Sequence, residues 1–330
     1  MKSGDPLRYA ATILRYASSM SKNYSNRRDF LQALVGGAAG VSFTYSAFGQ
    51  AAQAPPPIKA TKLTDDLAVL MGDGGNVAVV IAPDGLMMID GGLPNRTQDM
   101  LKAVEEVDSH KVRILFNTHW HFDHVGCNEA LGKSGAKIIA HENVKKRLSV
   151  KVDSEALGRS FDPLKPEGLP AETFTKGGKL TFGKQKIDYT HFVEGHTDGD
   201  AYLFLPKANV LHTGDLLFSG MYPVIDYSTG GWIGGMASAC DTMLKVGDAK
   251  TRVIPGHGAL ASKDDLRASR DMLHTVHERL AAMAKQGKTV DEVVASAPTK
   301  DLDEQLGKAR PAAGFVRQAY NSLLHRSHTT

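Results

Sequence analysis

Residues 119–124 of this chain read His-Trp-His-Phe-Asp-His, which places four side chains able to bind a metal within six positions. The motif follows an apolar run at residues 112–116, so a buried strand is predicted to end just before it. His119 and His121 are two positions apart and therefore point the same way in an extended segment. Imidazole and carboxylate groups suit zinc, and less often iron or manganese. The motif therefore predicts a metal-binding loop at the end of a strand.

Three later segments repeat this arrangement of a strand pattern followed by a potential ligand. His196, Asp215 and His257 each come directly after a glycine, at or just beyond the end of a predicted strand. Glycine lets the backbone turn sharply at such a point. One histidine at a strand end is most often structural, but that role does not account for four such segments in one chain. The segments together predict one shared metal site.

With these motifs in this order, the sequence resembles the metallo-β-lactamase superfamily over roughly residues 65–280. The resemblance implies an α/β fold, an αββα four-layer sandwich of two mixed β-sheets flanked by helices, with two divalent metal ions at one edge. Zinc is the first expectation, with iron or manganese as alternatives. Carried over by the resemblance, the ligands of the first ion are His119, His121 and His196, those of the second are Asp123, His124 and His257, Asp215 bridges the two, and Asp90 supports the ligands from behind.

The residue type at the bridging position narrows the range of reactions that we expect. The β-lactamases of this superfamily usually carry Cys or Ser there, whereas Asp215 resembles the thioesterase, lactonase and phosphodiesterase branches. Residues 213–218 are similar to the matching stretch of glyoxalase II. The resemblance thus implies an enzyme, a hydrolase in which a hydroxide shared by two metals cleaves a cyclic ester, thioester or amide, with Asp123 as the catalytic group that handles the proton.

Two alternatives stay open. The first is a class B-like β-lactamase that hydrolyses β-lactam antibiotics. The second is a metal-binding structural protein without catalysis, which we expect to lack at least one of the seven ligands, whereas none is missing here.

The charge distribution bears on the partners. Residues 55–330 hold 33 basic and 34 acidic side chains, although the whole chain has a net charge of +3. This balance provides no electrostatic attraction to nucleic acid or to an anionic membrane surface. We therefore expect a small-molecule substrate and no nucleic-acid partner.

The N-terminal segment resembles a twin-arginine signal peptide. Asn26-Arg27-Arg28-Asp29-Phe30-Leu31 precedes a stretch without charge that runs to Phe48, and residues 52–54 form an A-x-A cleavage pattern. We predict that residues 1–54 are a signal peptide read by the twin-arginine export machinery and that the mature protein is periplasmic. The alternative is a membrane anchor, since the stretch approaches spanning length; we expect no stable anchor.

The remainder divides into a linker at residues 55–64, with three prolines, and a hydrolase domain at residues 65–330 with a helical C-terminal end. Residues 149–172 lack periodicity, and we expect a loop that either overhangs the metals or lies idle on the surface. The two cysteines are expected to stay unpaired. Strands are predicted at 67–71, 76–81, 86–89, 112–116, 136–140, 180–182, 186–193, 201–205, 210–213 and 252–254, and helices at 94–107, 264–286, 290–297 and 315–324.

Aromatic residues follow the predicted bridging aspartate in a glycine-rich stretch at residues 219–235. Because this stretch begins close to Asp215, it should border the site. Tyr222 and Trp232 are therefore possible substrate contacts, and the alternative is that they pack in the core.

Export can be tested directly. The double substitution Arg27→Lys and Arg28→Lys is expected to hold the precursor in the cytoplasm, because the twin-arginine pathway reads that pair. Cell fractionation measures this, and N-terminal sequencing of wild-type protein should place the mature start between Gln50 and Pro55. Functional periplasmic protein that keeps its leader would instead support the anchor.

Overall fold

The computed structural model describes residues 55–327. The predicted signal peptide at residues 1–54 lies outside the described residues. The described part contains a seven-stranded sheet, a five-stranded sheet and a two-stranded hairpin. Their strands are β1 (Lys59–Thr64), β2 (Leu67–Met71), β3 (Val77–Ala82), β4 (Gly85–Ile89), β5 (Val112–Phe116), β6 (Lys137–His141), β7 (Val152–Ser154), β8 (Arg159–Phe161), β9 (Glu172–Phe174), β10 (Gly177–Phe182), β11 (Gln185–His191), β12 (Ala201–Leu205), β13 (Val210–His212) and β14 (Arg252–Ile254).

Both large sheets are mixed. The first has the order β1-β2-β3-β4-β5-β6-β9 and changes from antiparallel to parallel pairing at β4 and β5. The second has the order β10-β11-β12-β13-β14, and β13 and β14 pair in parallel. Parallel neighbours end at the same edge of a sheet, so the segments after β4 and β5 lie together, as do those after β13 and β14.

Helices cover the outer face of each sheet. Their bounds are α1 (Thr97–Val107), α2 (Asn128–Lys133), α3 (Glu142–Leu148), α4 (Ile233–Met243), α5 (Lys263–Lys285), α6 (Val290–Ala295), α7 (Asp303–Leu306) and α8 (Ala312–Ser327). Ser262 and Thr289 cap α5 and α6, and each pairs reciprocally with an acidic side chain three residues later. No helix within residues 55–327 combines the length and apolar character needed to cross a bilayer.

The two sheets bury a common core by strict alternation of side chains. In β3, Ala78 and Val80 face the second sheet, whereas Val77 and Val79 face α1 and α2. The outer face of the second sheet packs against α4, α5 and α8. The resulting order of layers is helix, sheet, sheet, helix. This confirms the predicted αββα sandwich, and the two buried cysteines are unpaired, as expected.

Two segments differ from the predictions. Lys59–Thr64 was predicted to be part of a linker, but it pairs with β2 as the edge strand β1. Its side chains are mostly exposed, so it lacks the apolar alternation that marks a strand in a sequence. Residues 149–172 are not a plain loop, because they contain the β7–β8 hairpin and end at the first residue of β9. Phe161 of that hairpin contacts Trp120 within the His-rich motif, with ring centroids 5.1 Å apart.

Candidate metal centre

The predicted ligands converge at one edge of the sandwich. Asp90 follows β4, the His-rich motif follows β5, His196 lies between β11 and β12, and Asp215 and His257 follow β13 and β14. The parallel pairing of β4 with β5 and of β13 with β14 brings these segments to a common edge. The fold therefore collects side chains that are up to 167 residues apart along the chain.

The two sheets are joined at this edge by backbone and amide hydrogen bonds. The Asn76 side chain donates to the carbonyls of Pro255 and Gly258, both at 2.9 Å, and its own N–H donates to Gly256 at 2.7 Å. Ala201 N–H likewise donates to the Thr118 carbonyl at 2.8 Å. The Asn76 bonds fix the loop that carries His257 to the β2–β3 loop of the first sheet, and the Ala201 bond fixes the residue before the His-rich motif to β12 of the second sheet.

The ligand atoms form two neighbouring groups, and within each group all atoms lie within 4.8 Å of one another. The first group is fully buried, whereas the side chains of Asp123 and His257 in the second are 14% and 21% exposed. Solvent and substrate therefore reach the site from the second group. The first group is His119, His121, His196 and Asp215, and the second is Asp123, His124 and His257.

Asp215 lies between the two groups. One of its carboxylate oxygens, Oδ2, is 3.3 Å from His196 Nε2 and 3.4 Å from His257 Nε2. The other, Oδ1, is 3.0 Å from His124 Nε2. A carboxylate in contact with rings of both groups has the position required of a bridge between two ions.

Each ring of four ligand histidines is held from outside through one nitrogen, which leaves the other nitrogen directed inward. Such outer contacts fix the ring orientation and raise the basicity of the ligand nitrogen. The outer partners are Thr118 Oγ1 for His119 at 3.1 Å, Asp226 Oδ2 for His121 at 2.9 Å, Asp90 Oδ2 for His124 at 2.8 Å and the Val224 carbonyl for His196 at 2.8 Å.

Asp90 contacts the ligand His124 on the side away from the other ligands. Its backbone is left-handed, with φ 66°, which is strained for a residue other than glycine. Three contacts hold it there: Thr118 donates through both its N–H and its hydroxyl at 2.8 Å, and His124 Nδ1 lies at 2.8 Å. The strained Asp90 thereby connects Thr118, which precedes the His-rich motif, to His124, which ends it.

Two glycines make room for the ligands. A Cβ on Gly75 would lie 2.3 Å from His124 Cε1, and a Cβ on Gly256 would lie 1.9 Å from Asp215 Oδ1. These distances are far below van der Waals contact, so any side chain at either position displaces a ligand.

The donor atoms present fit cations rather than a hydrogen-bonded network. His119 Nε2 is buried without a hydrogen-bond partner. Four carboxylates, those of Asp90, Asp123, Asp215 and Asp226, lie on or against the ligand rings. Among residues 55–327, no lysine or arginine pairs with any of the four at ion-pair distance. Two divalent cations would balance these four negative charges, and the nitrogen and oxygen donors suit zinc.

The two ligand groups differ in the direction of their histidine pKa shifts. Burial lowers the pKa of His119 well below its usual range and that of His196 to about 4, so both rings are neutral at pH 7 and can act as ligands. Burial also opposes a charge on His257, but the carboxylates of Asp215 and Asp123 outweigh it and raise its pKa to about 9. The His124 pKa is raised against burial by Asp215 and Asp90.

Sequence reasoning missed two residues that shape the site. Asp226 is fully buried and contacts His121. In the sequence, its one distinguishing feature is that it is the single charged residue of the stretch at residues 219–235. Asp200 accepts hydrogen bonds from the N–H groups of His196 and Thr197 at 2.6 and 2.9 Å and so shapes the loop around His196. The signal available for Asp200 was its place in Gly195-His196-Thr197-Asp198-Gly199-Asp200.

The prediction that Tyr222 and Trp232 contact substrate is not supported. Tyr222 is fully buried, stacks on Phe315 and donates its hydroxyl to Asp303 at 2.8 Å, so the prediction is wrong for this residue. The Trp232 ring contacts Arg326 and His277. Tyr222 thus faces α8, and Trp232 faces α5 and α8.

Comparison with known protein families identifies the family of this chain. The profile of the Metallo-beta-lactamase superfamily matches residues 70–273. The chain belongs to the metallo-β-lactamase superfamily. Its relatives in that superfamily include enzymes named as hydrolases, and this protein is a superfamily metallo-hydrolase.

Named relatives of this metallo-hydrolase have several activities. The chain is 27% identical over 199 residues to a metallo-beta-lactamase type 2 of Bacillus sp. (strain 170), covering 60% of this chain and 72% of the relative. It is 25% identical over 222 residues to the hydroxyacylglutathione hydrolase GloC of Haemophilus influenzae, covering 66% and 97%. The solved sec-alkylsulfatase Pisa1 from Pseudomonas sp. superposes with a TM-score of 0.62 at 16% identity, over 81% of this chain and 50% of that one. This last likeness concerns the fold alone.

Asp226 provides a test of the ring orientation. The substitution Asp226→Asn is expected to lower zinc affinity by about 10- to 100-fold, because His121 loses the carboxylate that fixes its ring. Competition with a chelator of known affinity measures this. Asp303→Asn, which removes a carboxylate bonded to Tyr222, should leave the affinity unchanged. Equal losses in both variants would mean that Asp226 acts on folding rather than on the ligand.

Metal binding should also release protons. Since the pKa of His124 and of His257 is raised when no cation is present, both rings carry a proton at pH 7 that a cation must displace. Calorimetric titration with zinc at pH 7, in buffers with different ionisation enthalpies, should therefore detect proton release, and the apparent affinity should rise with pH up to about 9. Binding without proton uptake by the buffer would contradict this assignment.

Proposed function

We infer that this metallo-hydrolase binds two divalent ions, zinc in the first place, and cleaves a cyclic ester, a thioester or an amide. The observation that carries the proposal is the convergence of seven nitrogen and oxygen ligands into two adjoining groups, with the carboxylate of Asp215 between them. The ligands that the first ion would use are His119, His121 and His196, and those of the second are Asp123, His124 and His257, with Asp215 shared.

Ions bound at these positions would lower the pKa of water to about 7 and would polarise a substrate carbonyl. The protein residues orient the reactants. Asp123 lies at the solvent side of the cluster, and its Oδ2 is 3.3 Å from His257 Nε2. Its pKa is lowered to about 2, against the effect of burial, by His124 and His257, so the carboxylate is ionised and accepts a hydrogen bond from an attacking water. This agrees with the catalytic role expected for Asp123.

Asp215 favours esters and thioesters over β-lactams. An aspartate at this position is what the thioesterase and lactonase branches carry, whereas the β-lactamases usually have Cys or Ser. The β-lactamase alternative nevertheless has support, since a relative at 27% identity is named a metallo-beta-lactamase type 2. We rank it second.

The cellular setting is part of the proposal. The Arg27-Arg28 segment supports twin-arginine export and a periplasmic location. A periplasmic enzyme does not meet glutathione thioesters, which belong to the cytosol, although a relative at 25% identity is named a hydroxyacylglutathione hydrolase. We therefore propose another small-molecule lactone or thioester as the substrate.

The substrate class is tested with purified, zinc-loaded protein and a panel of lactones, aryl thioesters, S-lactoylglutathione, nitrocefin, a carbapenem and single-stranded DNA. We expect hydrolysis of lactones or aryl thioesters, weak or absent carbapenem turnover, and no nuclease activity. A kcat/KM above about 10⁴ M⁻¹s⁻¹ on the carbapenem, which is in the usual enzyme range, would reverse the ranking.

Two variants test whether the measured turnover comes from the metal site of this protein rather than from a contaminating enzyme. Asp215→Ala should lose at least one ion and nearly all turnover, because it removes the contact shared by both groups. Asp123→Ala should reduce turnover more than it reduces binding of the first ion. Elemental analysis of each preparation gives the metal content. Full activity and two ions in Asp215→Ala would refute the proposed bridging role.

A further inference from the structure

A cationic side chain reaches the metal-site loop from the C-terminal part of the chain. Arg310 lies in the segment between α7 and α8 and is partly buried. Its Nη2 donates to Gln318 Oε1 at 2.7 Å. The same oxygen accepts the N–H of Ile225 at 3.2 Å, and Gln318 Nε2 donates to the Ala156 carbonyl at 2.7 Å. One amide thus fixes the guanidinium against two loops.

The loop at Ile225 is the loop that holds two ligand rings. The preceding residue, Val224, accepts from His196 Nδ1 through its carbonyl, and the following residue, Asp226, contacts His121 Nε2. Through Gln318, Arg310 is therefore connected to Ile225. This residue lies between Val224 and Asp226, which contact the ligand rings of His196 and His121.

The charge of Arg310 is not compensated by a carboxylate at ion-pair distance among residues 55–327. Burial lowers the Arg310 pKa, and the carboxylate that opposes this effect is that of Asp215. Once cations occupy the site, they offset the charge of Asp215. The guanidinium then retains an uncompensated positive charge in a partly desolvated position, which favours binding of an anion.

A groove with both apolar and polar lining residues lies beside the same segment. A cavity of about 310 Å³ is lined by residues of 218–221, of 302–306 and of α5. Its apolar lining comprises Phe218, Met221, Met272, Leu302 and Leu306, and Asp265, Asp271 and Gln305 are among its polar lining residues. Phe218 stacks on His257 with ring centroids 5.0 Å apart. The groove therefore adjoins the ligand His257 through Phe218, and Arg310 follows the lining residue Leu306 by four positions in the chain.

We propose that Arg310 binds an oxyanion group of the substrate and that the groove receives the substrate's apolar chain. The substrate class is then an amphiphilic anion, an acyl compound that carries a carboxylate or a sulfur oxyanion. This deepens the proposed function and rests on it for the reaction, whereas the binding can be measured without turnover. A charge-assisted hydrogen bond to arginine provides the recognition, and burial of the chain provides most of the affinity.

The test uses the zinc-loaded full chain and octane-1-sulfonate, an oxyanion that is a poor zinc ligand. Its affinity is measured by calorimetry and compared with those of octyl methyl sulfone, which is neutral, and methanesulfonate, which lacks the chain. We expect the sulfonate to bind about tenfold or more tightly than the sulfone, since a charged hydrogen bond contributes about that factor. Methanesulfonate should bind more weakly than the octyl compound. Octanoate, run in parallel, separates recognition of a carboxylate from that of a sulfur oxyanion.

Matched variants assign the binding to Arg310. Arg310→Gln should abolish the preference for the sulfonate over the sulfone, and Arg310→Lys should restore part of it. Arg317→Gln is the control, because it removes the same charge from α8 at a side chain that pairs with Asp291. Zinc content should be the same in all four proteins. If Arg310→Gln keeps the wild-type preference, or if the sulfone binds as tightly as the sulfonate, the proposal is overturned.

Kinetics then separate this proposal from the proposed function. With aryl esters that differ only in a terminal carboxylate or its methyl ester, Arg310→Gln should raise KM for the acid about tenfold and leave kcat, and both constants for the methyl ester, near wild type. Loss of selectivity with intact turnover of the methyl ester supports the role of Arg310. No turnover of either ester by wild-type protein counts against the proposed function, while the calorimetric result still decides the binding.

Discussion

The concentration of negative charge at one edge of the sandwich is the constraint on which the rest of the structure depends. Asp90, Asp123, Asp215 and Asp226 approach the same set of imidazole rings, and no lysine or arginine of the described part pairs with them. Burying uncompensated carboxylates is costly, so the site is stable only when cations or protons supply the opposite charge. Asp215 and Asp123 raise the pKa of His257, so a proton on this ring supplies part of the opposite charge when no cation is bound. Metal binding is therefore coupled to protonation and to the stability of this edge.

The same constraint explains why so many bonds connect the two sheets there. Mutual repulsion of the carboxylates would push the loops apart, and the loops after β13 and β14 belong to a different sheet from those after β4 and β5. Asn76 bonds across the gap to Pro255 and Gly258, and Thr118 joins Ala201. The strained backbone of Asp90 persists because its carboxylate accepts two hydrogen bonds from Thr118. The polar contacts thus hold the ligands in place before any cation arrives.

The sequence predicted the parts of this site that depend on local pattern. Ligands that follow an apolar run, such as His119 after β5, could be placed because the strand and the motif adjoin. Asp226, Arg310 and Gln318 could not, because their roles depend on which loop packs against which helix. Tyr222 was misassigned for the same reason: an aromatic residue in a glycine-rich stretch can face a site or a core. The edge strand β1 was missed because its exposed Lys and Thr side chains carry no burial pattern.

Chemistry and recognition come from different parts of the chain. The family profile ends at residue 273, and the described ligands all lie before that point. Beyond it, α8 holds the loop behind the ligand rings through three side chains: Gln318 bonds Ile225, Asn321 bonds the Tyr227 hydroxyl at 3.1 Å, and Ser322 accepts the N–H of Ile233 at 3.2 Å. A shift of this helix would therefore move Val224 and Asp226, and with them the rings of His196 and His121. Because the same helix fixes Arg310, the groups that select a substrate and the groups that orient the ligands are mechanically connected, so changes in specificity at the C-terminal end must preserve the contacts of α8 with this loop.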